Sequence, residues 1–440
     1  MYVKNIKLTN YRNFESLNGD LGLDFGRRTT LLIGKNGAGK TNLITALKQS
    51  LSFMFSKNQK GLHGNFIADS MQAIRSFETT DATRKFNPLG RQNQIGQWPI
   101  KIETTIDIGE SINVVFQRDD LSVGMREYYS KAFVHFWEKY ADLNDLPVIA
   151  FYSDSFPHEK VRAGKKIQDM LNSEFGISRP AGYYNWDDPR DCRDVWQQYF
   201  SQQWKNFRYG HNYNNEESYL RLVNDCMVNF SLPLVDAESN DEFELNEVTV
   251  VARGKTEIVM LRFKNGMESD FDSLPAGYRR AFSMVFDLAN RAFLLNGNCD
   301  PEGVAFIDEI DLHLHPSLAQ EILERMQRTF PRMQFIISTH SPLVLSNFKP
   351  EIGEYVIYRL QRENDQSTSI QRVDFAYGID YNNLLVDLMG TKVRNTLLRQ
   401  LIQSYLYWRE VKDEDLMRST LDEIKDLVGE DSRIIMKLTR

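Results

Sequence analysis

Residues 34–41 read Gly-Lys-Asn-Gly-Ala-Gly-Lys-Thr, between the β-rich run Thr29-Thr30-Leu31-Leu32-Ile33 and leucines 43, 47 and 51. No other segment narrows the fold as far. A short buried run, a glycine-rich turn and apolar residues at helical spacing predict strand, loop and helix in succession. In that loop Gly34, Lys35, Asn36, Gly37, Ala38 and Gly39 can wrap closely round a phosphate. Their backbone N–H groups would point inward and the helix N-terminus would add partial positive charge. Lys40 would then reach the β- and γ-phosphates, and Thr41 would set its hydroxyl on Mg²⁺, so ATP and Mg²⁺ are the implied ligands.

Two later segments complete a nucleotide site. Gly303-Val304-Ala305-Phe306-Ile307 is a continuous apolar strand that ends in Asp308 and Glu309. Asp308 would hold Mg²⁺ and Glu309 would polarise an attacking water. Gln334-Phe335-Ile336-Ile337-Ser338 is the next apolar strand, followed by Thr339-His340-Ser341-Pro342, where His340 can contact a γ-phosphate. Apolar residues from Ala281 to Ala292 give a helix before the first strand, and Pro316 opens one after it. Continuous apolar strands alternating with amphipathic helices predict a mainly parallel sheet covered on both faces. His313 and His315 are only two residues apart, without a further His or Cys nearby. They read as an interface or switch loop rather than a zinc site.

With 440 residues the chain is long enough for a large core and a second lobe. Residues 1–56 and 243–380 are read as two halves of one ATP-binding head. Residues 57–242 are read as an inserted lobe with strands from Pro99 to Phe116 and helices from Trp186 to Leu234. Residues 381–440 are read as a helical tail. A net charge of −7 argues against indiscriminate nucleic-acid binding. Local basic groups at Arg84, Lys85 and Arg91, or at Lys160, Arg162, Lys165 and Lys166, are read as solvated faces. Cys192, Cys226 and Cys299 form no CxxC pair and read as ordinary thiols. The N-terminus lacks the pattern of a targeting segment, and no apolar run approaches the roughly 20 residues of a membrane span. A cytoplasmic protein without a membrane is the expectation.

In this order the motifs resemble the ABC-type ATPases of the RecF, SMC and OLD-like group. The opening Leu8-Thr9-Asn10-Tyr11-Arg12-Asn13-Phe14 is similar to that group's start, and the resemblance implies a nucleotide contact for Arg12. The stretch from Ile307 to Pro316, together with Ser338 to Pro342, resembles the bacterial branch paired with a separate effector nuclease in anti-phage systems such as Septu or PARIS. Asp311 falls in that stretch and is assigned to the nucleotide site. The implied fold is α/β: an ABC-type head with a mixed sheet, interrupted by a mainly helical inserted lobe. The implied assembly is a homodimer or higher oligomer that sandwiches nucleotide between heads.

Each site would take Leu274, Ala276, Gly277 and Tyr278 from the opposite copy. There the sequence departs from the group's Leu-Ser-x-Gly loop, because Pro275 stands where the serine hydroxyl is expected. Slow hydrolysis follows as an expectation. No Gln follows the strand Pro147–Ser153, so the group's Q-loop residue is not assigned. OLD-type proteins carry a nuclease domain after the ATPase. Here about 60 residues, 381–440, follow the second half of the head and read as helices, so the expected role is an ATPase acting through a nuclease-like partner encoded nearby. A RecF-like ATPase binding duplex DNA directly is the alternative, so nucleic acid stays open as a partner.

Overall fold

The computed structural model describes all residues except 18, 20, 57–62, 86–94, 121–125, 128, 159–162, 172–176, 210–213, 235–241, 254–255, 347–352, 364–366, 374–395, 431 and 439–440. The chain opens with β1 (Tyr2–Tyr11), β2 (Phe14–Ser16), β3 (Leu23–Asp24) and β4 (Thr29–Ile33), then α1 (Lys40–Leu51) and α2 (Gly64–Asp69). Next come β5 (Arg84–Lys85), β6 (Ile95–Gly96), β7 (Ile100–Asp107), β8 (Ser111–Arg118), β9 (Arg126–Glu127), α3 (Ser130–Lys139) and β10 (Val148–Tyr152). Three helices follow, α4 (Lys165–Leu171), α5 (Cys192–Tyr209) and α6 (Asn214–Ser231), then β11 (Leu245–Arg253), β12 (Thr256–Phe263) and β13 (Glu268–Asp270). The second half runs α7 (Ala276–Asn296), β14 (Gly303–Ile307), α8 (Pro316–Thr329), β15 (Met333–Thr339), α9 (Pro342–Ser346), β16 (Tyr355–Arg362) and β17 (Thr368–Val373). The last helices are α10 (Thr396–Val411), α11 (Glu414–Val428) and α12 (Arg433–Leu438).

The strands from both halves of the sequence interleave in one sheet, ordered β10-β14-β15-β4-β16-β17 among the described residues. It is parallel from β10 to β16, and β17 closes it antiparallel to β16. Every residue of β4, β10, β14 and β15 is buried, as expected for strands covered on both faces. A second, antiparallel sheet, β2-β1-β7-β8-β9, shows the alternating burial of strands with one packed face. Helix α1 packs against β7 and β8 of this sheet and against β15 of the other. Residues between 57 and 242 thus contribute strands to both sheets as well as the helices α5 and α6.

Polar residues also tie this span to the head. Asp287 on α7 accepts hydrogen bonds from Tyr152 Oη at 2.6 Å, Trp196 Nε1 at 2.5 Å and Arg291 Nε at 2.7 Å. Its charge is paired and hydrogen-bonded, which is what makes a fully buried carboxylate tolerable. The chain divides into two compact units, 1–378 and 379–440. In the second, Ile402, Tyr405, Ile424, Ile435 and Leu438 from three helices form a small apolar core.

Candidate functional site

Parallel neighbours in the order β14-β15-β4 place three loops side by side at their C-terminal ends, the usual location of a ligand site in such sheets. The loop after β4 is Gly34–Gly39, the acid pair follows β14 and His340 follows β15. Since β15 lies between the other two, His340 stands between the lysine and the acids. Its Nε2 is 2.8 Å from Lys40 Nζ and 3.6 Å from Glu309 Oε1.

The glycine loop has the curvature a phosphate cradle needs. Gly34 has φ 149° and Gly39 φ 103°, in the region open mainly to glycine. A Cβ on Gly34 would stand 2.2 Å from Leu360 O, and one on Gly39 would stand 2.1 Å from Asn13 Nδ2. Lys35, Asn36 and Gly37 are exposed at the loop's tip, whereas Ala38 is buried. Lys40 is 5% exposed, and its ammonium donates to Gly34 O at 2.8 Å and Lys35 O at 3.2 Å. Burial pushes this amine down to about 8, against the opposing pull of Asp308, Glu309 and Asp311. Burial and the neighbouring Lys40 charge likewise lower the pKa of His340. An ammonium can only donate, so His340 Nε2 accepts in their contact.

Thr41 Oγ1 donates to Asp308 Oδ2 at 2.7 Å, and Asp308 Oδ1 accepts from Ser338 Oγ. A hydroxyl and a carboxylate converging beside a lysine are hard oxygen donors of the type Mg²⁺ takes together with phosphate. The donor set and the glycine cradle both fit Mg²⁺ and a nucleoside triphosphate. Glu309 follows with φ 51°, in the left-handed region of the backbone. Its N–H donates to Ser338 Oγ at 2.9 Å. Burial, then the carboxylates of Asp308, Asp154 and Asp311, raise its pKa. Asp311 clamps the switch segment, since its Oδ1 accepts from His340 N at 3.2 Å and from Thr339 Oγ1. Arg12 reaches the helix that follows the loop, donating to Asn42 Oδ1 at 3.0 Å, and also donates to Asp81 Oδ1 at 2.9 Å.

Ala276, Gly277 and Tyr278 gather elsewhere, beside His313 and His315, and Leu274 is buried just before them. Pro275 caps α7, so Ala276 and Gly277 sit in its first turn, where backbone N–H groups lack intrahelical acceptors. A Cβ on Gly277 would stand 2.5 Å from His313 O, so this glycine allows α7 to abut the loop after the acid pair. Tyr278 stacks on Phe243, with ring centroids 3.9 Å apart, beside a cavity of about 430 Å³ lined by both histidines. His315 Nδ1 accepts from Ser317 N at 3.4 Å and so caps α8. No group of three or more candidate metal-ligating His, Cys, Asp or Glu occurs among the described residues. The three cysteines are free thiols. Lys166 lies 3.9 Å from Asp69, while Arg91, Lys160 and Arg162 lie outside the described residues.

One residue escaped the sequence reading. Arg280, 1% exposed on α7, donates to Ser153 O at 2.9 Å, Asp154 O at 3.2 Å, Asp308 O at 2.7 Å and also to Phe156 O. It fixes the backbone of the acid pair against the turn after β10. Burial lowers its pKa to about 10, against the pull of Asp154, Asp308, Glu309 and Asp311. Its position inside an apolar helix gave no sequence signal beyond a charge among Ala281, Phe282 and Met284.

The RecF/RecN/SMC N-terminal domain matches residues 2–357, so the chain belongs to that family. The architecture is an α/β head of ABC type. The chain is 25% identical over 394 residues to the retron Vc95 probable ATPase of Vibrio cholerae, spanning 79% of this chain and 72% of that protein. It is 33% identical over 141 residues to the Septu protein PtuA of Bacillus mycoides, covering 32% of this chain and 19% of the other. Among solved structures, the SMC head domain from Thermotoga maritima superposes with a TM-score of 0.43 at 14% identity, over 85% of this chain and 100% of that one. No helix among the described residues is long and apolar enough to cross a membrane.

Proposed function

We propose that this chain binds and hydrolyses ATP as a paired head and regulates a separate, nuclease-like effector in anti-phage defence. The observation that carries the catalytic half is the convergence of Thr41 and Asp308, 2.7 Å apart, with Lys40 and Glu309 on either side of His340. The effector half draws support from the retron and Septu names of the relatives.

In this reading Gly34–Gly39 and Lys40 bind the phosphates, and Thr41 and Asp308 would hold Mg²⁺, which would supply charge neutralisation at the phosphates. Glu309 accepts a proton from the attacking water at its carboxylate. Its raised pKa makes it a better base than an ordinary surface glutamate. His340 faces the site of the γ-phosphate, and Asp311 holds its backbone in place. Products are ADP and phosphate. A second copy supplies Leu274, Ala276, Gly277 and Tyr278 across the interface. Pro275 removes a hydroxyl donor there, so turnover is slow and ATP acts mainly as a clamp. Arg12 acts near the nucleotide through Asn42. Residues 57–242 lie between head halves 1–56 and 243–380 and share their sheets through β7, β8 and β10, so closure moves them with the head; 381–440 is a helical tail. The location is cytoplasmic.

Affinity purification of the Glu309→Gln chain with its flanking genes and ATP tests the partner claim. A stoichiometric nuclease-like partner supports it. Recovery of the homo-oligomer with DNA alone would replace it by direct DNA binding.

A further inference from the structure

The phosphate loop is held from outside its own motif. β16 runs parallel to β4, pairing Arg359 with Ile33, and so carries Leu360–Arg362 past the strand end beside the loop. β17 returns with Thr368 directly opposite Arg362. Thr368 Oγ1 donates to Ala38 O at 3.0 Å and accepts from Asn13 Nδ2. Asn13 Nδ2 also lies 3.4 Å from Ala38 O, and Asn13 Oδ1 accepts from Asn42 Nδ2 at 2.6 Å. Asn42 Oδ1 in turn accepts from Arg12. A hydroxyl and a primary amide have the donors and acceptors for all of these bonds.

The Ala38–Gly39 peptide is planar and trans, so its C=O and N–H point in opposite directions. Anchoring Ala38 O outward on Thr368 and Asn13 therefore aims the Gly39 N–H into the loop. Gly39 has φ 103°, and the Asn13 amide fills the place a Cβ would take. Without the anchor this glycine-flanked peptide can rotate and present a carbonyl to the phosphate.

We propose that Thr368, together with Asn13, is a positioning residue for the phosphate loop, so that the β16–β17 hairpin controls nucleotide affinity from the opposite end of the domain's sequence. This rests on reading Gly34–Thr41 as the ATP site. The hairpin grips the loop's back rather than the ligand, so its contribution appears in binding and not in the proton transfer at Glu309.

The test is titration of a fluorescent ATP analogue, with Mg²⁺, into the full chain and its Thr368→Val, Thr368→Ser and Lys40→Ala variants, each with a melting temperature. Steady-state hydrolysis of ATP provides KM and kcat for each. Valine keeps the shape and β propensity but has no hydroxyl. It is expected to weaken binding about tenfold, the scale of one hydrogen bond to a charged ligand, with the loss in KM rather than kcat. Serine restores binding. Should valine lower the melting temperature, Asn13→Ala removes the other half of the anchor and is expected to show the same KM effect. Wild-type affinity in Thr368→Val, with binding lost in Lys40→Ala, overturns the hairpin's role and leaves the ATP site standing. Equal binding by wild type and Lys40→Ala overturns the ATP reading itself.

Discussion

Lys40 Nζ lies 2.8 Å from His340 Nε2, so the lysine of the glycine loop is engaged by the histidine after β15. A phosphate bound in the loop would compete with that contact. Asp311 ties the segment after β15 to the loop after the acid pair.

The depressed lysine makes binding pH-dependent. Its folded-state value of about 8 lies below the ordinary 10.5, so between these values the unfolded chain holds a proton the folded site has lost. This group's contribution to stability therefore rises with pH across that window. Binding runs the opposite way, because phosphate needs the ammonium. Affinity for ATP is expected to fall about tenfold from pH 7 to pH 9, as the protonated fraction falls. Lys40→Met should bind weakly with no such slope. The check is fluorescence titration across this range in wild type and variant.

Glu309→Gln keeps the side chain's size and removes its basicity. Loss of a general base costs roughly 10²–10⁴-fold, so kcat should drop on that scale while ATP binding persists. Single-turnover hydrolysis beside equilibrium binding separates the two effects. Equal loss of both would assign Glu309 to ligand binding instead.

Arg280→Met would leave the carbonyls of Ser153, Asp154, Asp308 and Phe156 without their buried donor. Each unsatisfied group costs about 1–3 kcal/mol, softened where the turn can reach water. Calorimetry should show a clear fall in melting temperature, accompanied by lower kcat. Arg280→Lys should not restore wild-type behaviour, because one ammonium cannot reproduce the planar fork.

Gly277→Ala tests the seam between α7 and the loop after the acid pair. Its Cβ would meet His313 O at 2.5 Å, so α7 or the loop must shift. Overpacking of this kind costs about 1–3 kcal/mol. Denaturant unfolding measures the loss, and wild-type stability would show that the seam yields freely.

The sequence made the site legible where its residues are contiguous. Gly34–Thr41, Asp308-Glu309 and Ser338–Pro342 each lie at the end of an apolar strand, and a parallel sheet brings such ends together. Arg280 was not legible, because its partners are 28 to 127 residues away and none shares its helix. The pairing of Asn13 with Thr368 spans 355 positions and depends on β17 folding back on β16, which in turn pairs with β4. Nor did the alternation of β7 reveal that it pairs with β1, since periodicity shows which face is buried and not which strand is the neighbour. Gly277 read as a phosphate donor from its place at a helix start; its packing against His313 depends on a loop 36 residues further on.

The Gly34–Thr41 loop and the Asp308-Glu309 pair are proposed to form one ATP-hydrolysing site. Its most direct measurement is phosphate release from ATP with Mg²⁺ by purified wild type, Lys40→Ala and Glu309→Gln, alongside calorimetric binding of ATP to each. On that assignment slow hydrolysis by wild type, neither binding nor hydrolysis by Lys40→Ala, and binding without hydrolysis by Glu309→Gln are expected. Undiminished hydrolysis by Glu309→Gln, or undiminished binding by Lys40→Ala, would contradict it.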